Sequence, residues 1–402
     1  MDLNFLPDWP PAVPAALAVA VLALLAAAAG EGAARLRLPR LFGYVVAGAL
    51  FSAGSYLLRV LQLDEVPQPT LQLSLGIAAA VILFDVGQRV SFGWIRRNPA
   101  LLVTSAAESA LTFAAVYYAM RLFEIDPWPS AVIASISIAT SPAVVLAVTR
   151  ELRSQGQVTE RTLLLTALNS IYAVMLSTAL LGVARDDPGG GLDLLLQPAY
   201  LIIGSLAIAA LGARLFLLVL SFVGRDRAAQ ILVMLAVVWV VLAAAVVLKL
   251  SPLLALLACG AFVRTFDTSR LLTTTEFGLA SGVALVLFFA LSAATVDVST
   301  VFAAWLPALA LIVVRAAAKL LAVGAFGPLT GITLRKGLLT GAGLLPMSAV
   351  ALMLMQQVSE WNPLMAAQTT SVLLPAVVVL QLLGALALVL ALRLSGETRT
   401  DR

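Results

Sequence analysis

Apolar runs of about twenty residues follow one another along the chain, separated by short clusters of charge, proline and turn residues. A helix needs roughly 20 apolar residues to cross a bilayer. The pattern predicts thirteen spans, near residues 13–29, 41–58, 71–90, 100–120, 130–149, 162–183, 199–220, 231–248, 252–263, 277–296, 302–326, 337–357 and 363–392. The ninth is short. The last is long enough to tilt or kink, with Pro375 and Gly384 as places to do so. No Lys or Arg precedes the first run, so it reads as a retained span rather than a cleaved leader.

Polar positions interrupt three of these spans at mid-depth. The fifth contains Ser137-Ile138-Ala139-Thr140-Ser141-Pro142, the sixth Asn169-Ser170, and the twelfth Gly341-Ala342-Gly343-Leu344-Leu345-Pro346. Proline inside an apolar helix removes a backbone hydrogen bond, and in lipid the freed carbonyl must be satisfied by protein, water or an ion. The fifth and sixth spans thus outline a candidate transport site. Consecutive spans alternate in direction, so an offset of seven makes the fifth and twelfth run oppositely. An inverted repeat of spans one to six and eight to thirteen requires this. The expected fold is an all-α polytopic membrane protein with broken helices 5 and 12. It is one membrane domain, with repeat 1 at about 13–183, a linker helix at about 199–220 and repeat 2 at about 231–392, and no soluble regulatory domain.

Composition agrees, since 61% of the residues are hydrophobic and only 11% charged, too apolar for a soluble core of ordinary proportions. With the N-terminus outside, eighteen of the 25 Lys and Arg fall in inside loops or the tail. Only Arg59, Arg121, Arg185 and Lys249 remain outside, and Arg214, Arg315 and Lys319 lie within spans. This positive-inside pattern predicts a cell (inner) membrane protein with a cytoplasmic C-terminus.

Several chemistries drop out. Histidine is absent, which removes imidazole metal sites, triads and pH sensors. No Walker-type phosphate loop occurs. The one cysteine, Cys259, cannot form a disulfide within the chain. No cofactor, metal, nucleic-acid partner or enzymatic activity is expected.

Charged residues inside spans are functional candidates because their burial is costly. Arg315 and Lys319 are four apart, on one helical face. Lys319 is placed to bind the carbonyls of a broken helix and hold the two halves together, or to take part in ion coupling. Glu108 lies roughly 12 Å into the fourth span and needs a partner, a serine being one option. Asp85 lies near the inside end with Arg89 one helical step away, which favours an interfacial i,i+4 pair.

These residues carry a family resemblance. Leu38-Pro39-Arg40-Leu41-Phe42-Gly43-Tyr44-Val45-Val46-Ala47-Gly48 is similar to the second-span signature of the monovalent cation/proton antiporter superfamily, which includes the sodium/hydrogen exchangers. Leu83-Phe84-Asp85-Val86-Gly87 resembles its third span, Thr140-Ser141-Pro142 its unwound fifth, and Leu287-Phe288-Phe289-Ala290-Leu291 with Asp297 its tenth. Arg315 and Lys319 stand where the family carries an RxxxK pair, and Leu345-Pro346-Met347-Ser348 resembles its broken twelfth span. The resemblance implies a core domain moving against a dimerisation domain in an elevator-like cycle. It places the site at the crossing of spans five and twelve, with Pro142, Gly343 and Pro346 shaping the breaks, and implies a homodimer in the bilayer exchanging a monovalent cation for protons.

Where the family has acidic residues in the sixth span, this chain has Asn169 and Ser170, and the fifth-span position often occupied by Asp is Ser141. Thr140, Ser141, Asn169 and Ser170 offer oxygens to a cation but do not titrate in the physiological range. Three readings stand: an antiporter in which Glu108 or Asp85 takes over titration, a channel-like or sensory homologue without coupled transport, and a carrier of an anion or neutral solute.

Overall fold

The computed structural model describes residues 15–36, 38–60, 68–89, 99–183, 193–224, 226–267, 277–294 and 304–398. Asp297, Asp64, Glu65, Asp186 and Asp187 lie outside this set, as do Arg37, Arg96, Arg97, Arg185, Arg225, Arg270, Arg399 and Arg402 of the charge pattern. Among the described residues the regular elements are all helices. The elements are α1 (Ala15–Arg35), α2 (Arg40–Val60), α3 (Gln68–Arg89), α4 (Pro99–Leu122), α5 (Pro127–Ile138), α6 (Pro142–Glu151), α7 (Gln157–Val183) and α8 (Asp193–Val223). They continue with α9 (Arg227–Val247), α10 (Pro252–Phe266), α11 (Phe277–Ala294), α12 (Trp305–Phe326), α13 (Leu334–Gly343), α14 (Ala349–Trp361) and α15 (Pro363–Leu394), with a short 3-10 turn after α12.

These helices fall on the thirteen predicted stretches one for one, except that the fifth holds α5 and α6 and the twelfth holds α13 and α14. Among the described residues, eight stretches are long and apolar enough to cross a membrane, and five apolar helices are shorter. Proline sets many of the helix starts. Ser141-Pro142, Ser251-Pro252 and Asn362-Pro363 each place a capping side chain before a proline at the first helical position, and each cap accepts a backbone N–H three residues on.

Two compact units are distinguishable. The smaller comprises Met1–Ala79 and Ser281–Val298. In it α1 and α2 pack closely because Gly43 lets the backbones touch; a Cβ there would lie 2.1 Å from the Ala29 carbonyl oxygen. Ala18, Leu22, Ala26, Ala47, Leu71, Ala290 and Leu291 form its apolar core.

The larger unit, Ala80–Ala280 with Ser299–Arg402, contains both broken helices. Here α4 packs against α5, α7 and α12, and α15 packs against α13 and α14. The N-terminus of α7 is held by the tail. The Glu397 carboxylate accepts the Val158 and Thr159 N–H groups, both at 2.8 Å, and the Thr159 hydroxyl at 2.9 Å. Gly384 of α15 is a close-packing position. A Cβ there would lie 2.6 Å from Pro346 Cα, so α15 lies directly against the second break.

Candidate functional site

The first break follows from Pro142. The residue before a proline is barred from the helical region, and Ser141 is extended at φ −73, ψ 107. Ala139 has already left the helix at φ −55, ψ 134. The second break follows from Leu345-Pro346 in the same way, with α13 ending at Gly343 and α14 starting after Ser348.

The two breaks meet. Ser141 N–H donates to the Pro346 carbonyl at 2.8 Å, Thr140 Oγ1 to the Leu344 carbonyl at 3.0 Å, and the Ser141 and Ser348 hydroxyls pair at 2.5 Å. Residues 207 apart in sequence thus close one crossing.

Arg315 of α12 binds both broken helices. Its guanidinium donates to the Ser137 and Ala139 carbonyls at 2.8 and 2.7 Å on one side, and to Leu345 at 2.7 Å and Leu344 at 3.4 Å on the other. Each helix C-terminus carries about half a negative charge, so two of them offset one guanidinium. The task that the sequence assigned to Lys319 belongs mainly to Arg315, whose fork reaches several carbonyls at once.

Lys319, one turn along, has a different partner. Its ammonium lies 2.5 Å from Glu108 Oε1, 3.0 Å from the Ile138 carbonyl and 3.4 Å from Thr140 Oγ1. Glu108 and Lys319 are both fully buried. Thr112 also donates to Glu108 Oε1, at 3.2 Å. The partner of Glu108 is therefore a cation and a threonine rather than the serine considered from the sequence.

Asn169 closes a ring. Its amide donates to Thr140 Oγ1 at 3.4 Å and accepts from Ser109 at 3.3 Å, which returns the path to α4 next to Glu108. Ser170 turns back to its own helix at Thr166 O, 2.8 Å, and reaches the Thr140 carbonyl at 3.4 Å. The ring thus runs Glu108, Lys319, Thr140, Asn169, Ser109. One carboxylate stands among hydroxyls and amides.

Of the residues singled out in the sequence, Thr140, Ser141, Pro142, Asn169, Ser170, Glu108, Arg315, Lys319 and Pro346 come together here. Gly343 ends α13 beside Thr162, whose hydroxyl a Cβ at Gly343 would meet at 2.8 Å. Asp85 is placed elsewhere. It pairs at 2.5 Å with Arg150 in the last turn of α6, roughly 13 Å along the helix from Ser141. The side chain of Arg89, the partner expected from the sequence, lies outside the described residues.

Ser109, Thr112 and Ser348 were not singled out from the sequence, yet Ser105, Glu108, Ser109 and Thr112 recur at i, i+3, i+4 and i+7, a polar stripe on one face of α4.

A family model described as "Sodium/hydrogen exchanger, transmembrane" matches residues 19–393. Among solved structures the fold is similar to that of the sodium proton antiporter MjNhaP1 from Methanocaldococcus jannaschii. Against its structure at pH 8 the TM-score is 0.72 at 14% identity, covering 95% of this chain and 99% of that one. Against an electron-microscopy structure of MjNhaP1 the TM-score is 0.73 at 14% identity, with both chains covered completely. No curated protein matches significantly in sequence.

Proposed function

Because the chain belongs to the sodium/hydrogen exchanger family, a family of multi-pass membrane transporters, we propose that it is a secondary antiporter exchanging a monovalent cation for protons. The observation that carries this reading is the buried Glu108–Lys319 pair at the crossing of two broken helices. Glu108 is the carboxylate available there once Asn169 and Ser170 replace the family's acidic residues. A single carboxylate holds the Lys319 ammonium, a proton or a metal cation in turn. Competition for that one group makes the exchange obligatory.

Arg315 and Lys319 do not favour an anion carrier, since the guanidinium is bonded to helix carbonyls and the ammonium to Glu108. Two retained elements, the closed crossing and the buried pair, also favour coupled transport over an uncoupled channel or sensor.

We read the cycle as an elevator movement of the broken-helix core against a dimerisation domain, within a homodimer. The support is the family resemblance, which runs over nearly the whole chain. The positive-inside pattern supports an outside N-terminus and a cytoplasmic C-terminus in a cell (inner) membrane.

Proteoliposomes carrying a pH reporter test this directly. Addition of Na⁺, K⁺ or Li⁺ dissipates an imposed proton gradient if the protein is an antiporter. Silence with all three, from protein shown to be folded, sinks the reading.

A further inference from the structure

Hydroxyls in apolar helices usually bond a carbonyl three or four residues back. Much of this chain complies. Thr104 bonds Ala100, Ser137 bonds Ile133, Thr149 bonds Val145, and Ser170 bonds Thr166. Ser105 and Thr166 do not. Both are buried, and their hydroxyls have no hydrogen-bond partner among the described residues; the same is true of Glu108 Oε2, while Lys319 bonds Oε1.

The three residues stand on two helices that pack together. α4 and α7 are in contact. Two reversals separate them, at 123–126 and 152–156, with α5 and α6 forming one span between, so α4 and α7 run in the same direction. The Ser109–Asn169 bond sets their register. One turn toward the N-terminus from that bond lie Ser105 on α4 and Thr166 on α7, while Glu108 is three residues from Ser105 on the same helix face. Unpartnered buried polar atoms are costly. Here three oxygens on two packed helices are left without partners.

We propose that the α4–α7 seam is a seat for a dehydrated alkali cation, with Glu108 Oε2 supplying the charge and Ser105 Oγ and Thr166 Oγ1 supplying neutral oxygens. The inference rests on the antiporter reading and deepens it by naming ligands that neither the sixth-span pair nor the helix crossing contains. The charge of the seat selects the ion class. One carboxylate matches a singly charged cation, whereas divalent ions call for several carboxylates. The proton needs only Glu108, and the hydroxyls serve the metal ion alone. Substitutions at Ser105 and Thr166 therefore separate cation affinity from proton binding. Two further unpartnered hydroxyls on the same helix, Thr162 and Thr178, lie one turn before and about three turns beyond Thr166, away from Glu108.

The test is cation-dependent thermal stabilisation of the purified full-length protein. Na⁺, K⁺ and Li⁺ chlorides are compared with choline chloride at equal ionic strength. The seat predicts that at least one alkali cation raises the melting temperature of the parent. Ser105→Ala and Thr166→Val each weaken its apparent affinity about tenfold, whereas Ser105→Thr, Thr166→Ser and the control Thr178→Val retain it. Melting without cation establishes that each variant folds. Unchanged affinity in Ser105→Ala and Thr166→Val, with binding lost in Glu108→Gln, overturns the seam while leaving antiport through Glu108 intact. No alkali-cation shift in the parent also overturns the seat, and gradient dissipation by the same preparation then decides the antiporter reading separately.

Discussion

The Glu108 carboxylate on α4 and the Lys319 ammonium on α12 meet at 2.5 Å, 211 residues apart in sequence and both sealed from solvent. Removing one partner of a buried pair leaves the other charge uncompensated, at about 3–5 kcal/mol, whereas replacing both is far milder. Lys319→Met and Glu108→Leu should each lower thermal stability strongly in detergent. The double variant should recover much of the loss, giving a coupling energy of at least about 1 kcal/mol in the cycle. Additive losses would mean that the two groups act independently.

Arg315 reaches carbonyls of both α5 and the second break. Lysine keeps the charge but loses the fork. Arg315→Lys should therefore destabilise by about 3 kcal/mol or more, since hydrogen bonds from charged groups contribute about 1.5–3 kcal/mol each. Hydrogen exchange should quicken at residues 139–141 and 344–348 together. Exchange quickening at only one break would show that the guanidinium does not join them.

Gly384 allows α15 to lie against Pro346. Overpacking of this kind costs about 1–3 kcal/mol, and here the obstacle is backbone. Gly384→Ala should lower both melting temperature and transport rate, while Gly396→Ala, where a Cβ meets nothing within 4 Å, serves to report the cost of positive φ alone.

Glu397 caps α7 with three hydrogen bonds. A carboxylate at a helix N-terminus is favoured by the dipole as well. Glu397→Ala should cost about 1–3 kcal/mol and raise exchange at Val158 and Thr159, read by hydrogen–deuterium exchange. The effect on Glu108-dependent proton movement should be smaller than that of any change in the ring.

The spans and both breaks were legible in the sequence because they are local: apolar run length sets the one, and Ser141-Pro142 and Leu345-Pro346 set the other. The partners of the buried charges were less so. Spacing places Arg315 and Lys319 on one face, but it does not say which one reaches the carbonyls, and the roles proved to be divided differently from the expectation. Asp85 meets Arg150, 65 residues away, a contact that spacing within its own helix does not indicate. The close approach of Gly384 to Pro346 was not legible, because the two are adjacent only in space. The stripe Ser105, Glu108, Ser109, Thr112 was present at helical spacing, and within a wholly apolar helix such a stripe marks the face turned toward other polar groups.

With only Asn169 and Ser170 in the sixth span, Glu108 is the group proposed to carry the exchanged charge. The most direct measurement is cation-driven proton movement in proteoliposomes, parent against Glu108→Gln, with folding confirmed for both. Na⁺, K⁺ or Li⁺ should dissipate the proton gradient with the parent, and Glu108→Gln should abolish this. Undiminished exchange in Glu108→Gln would contradict the proposal.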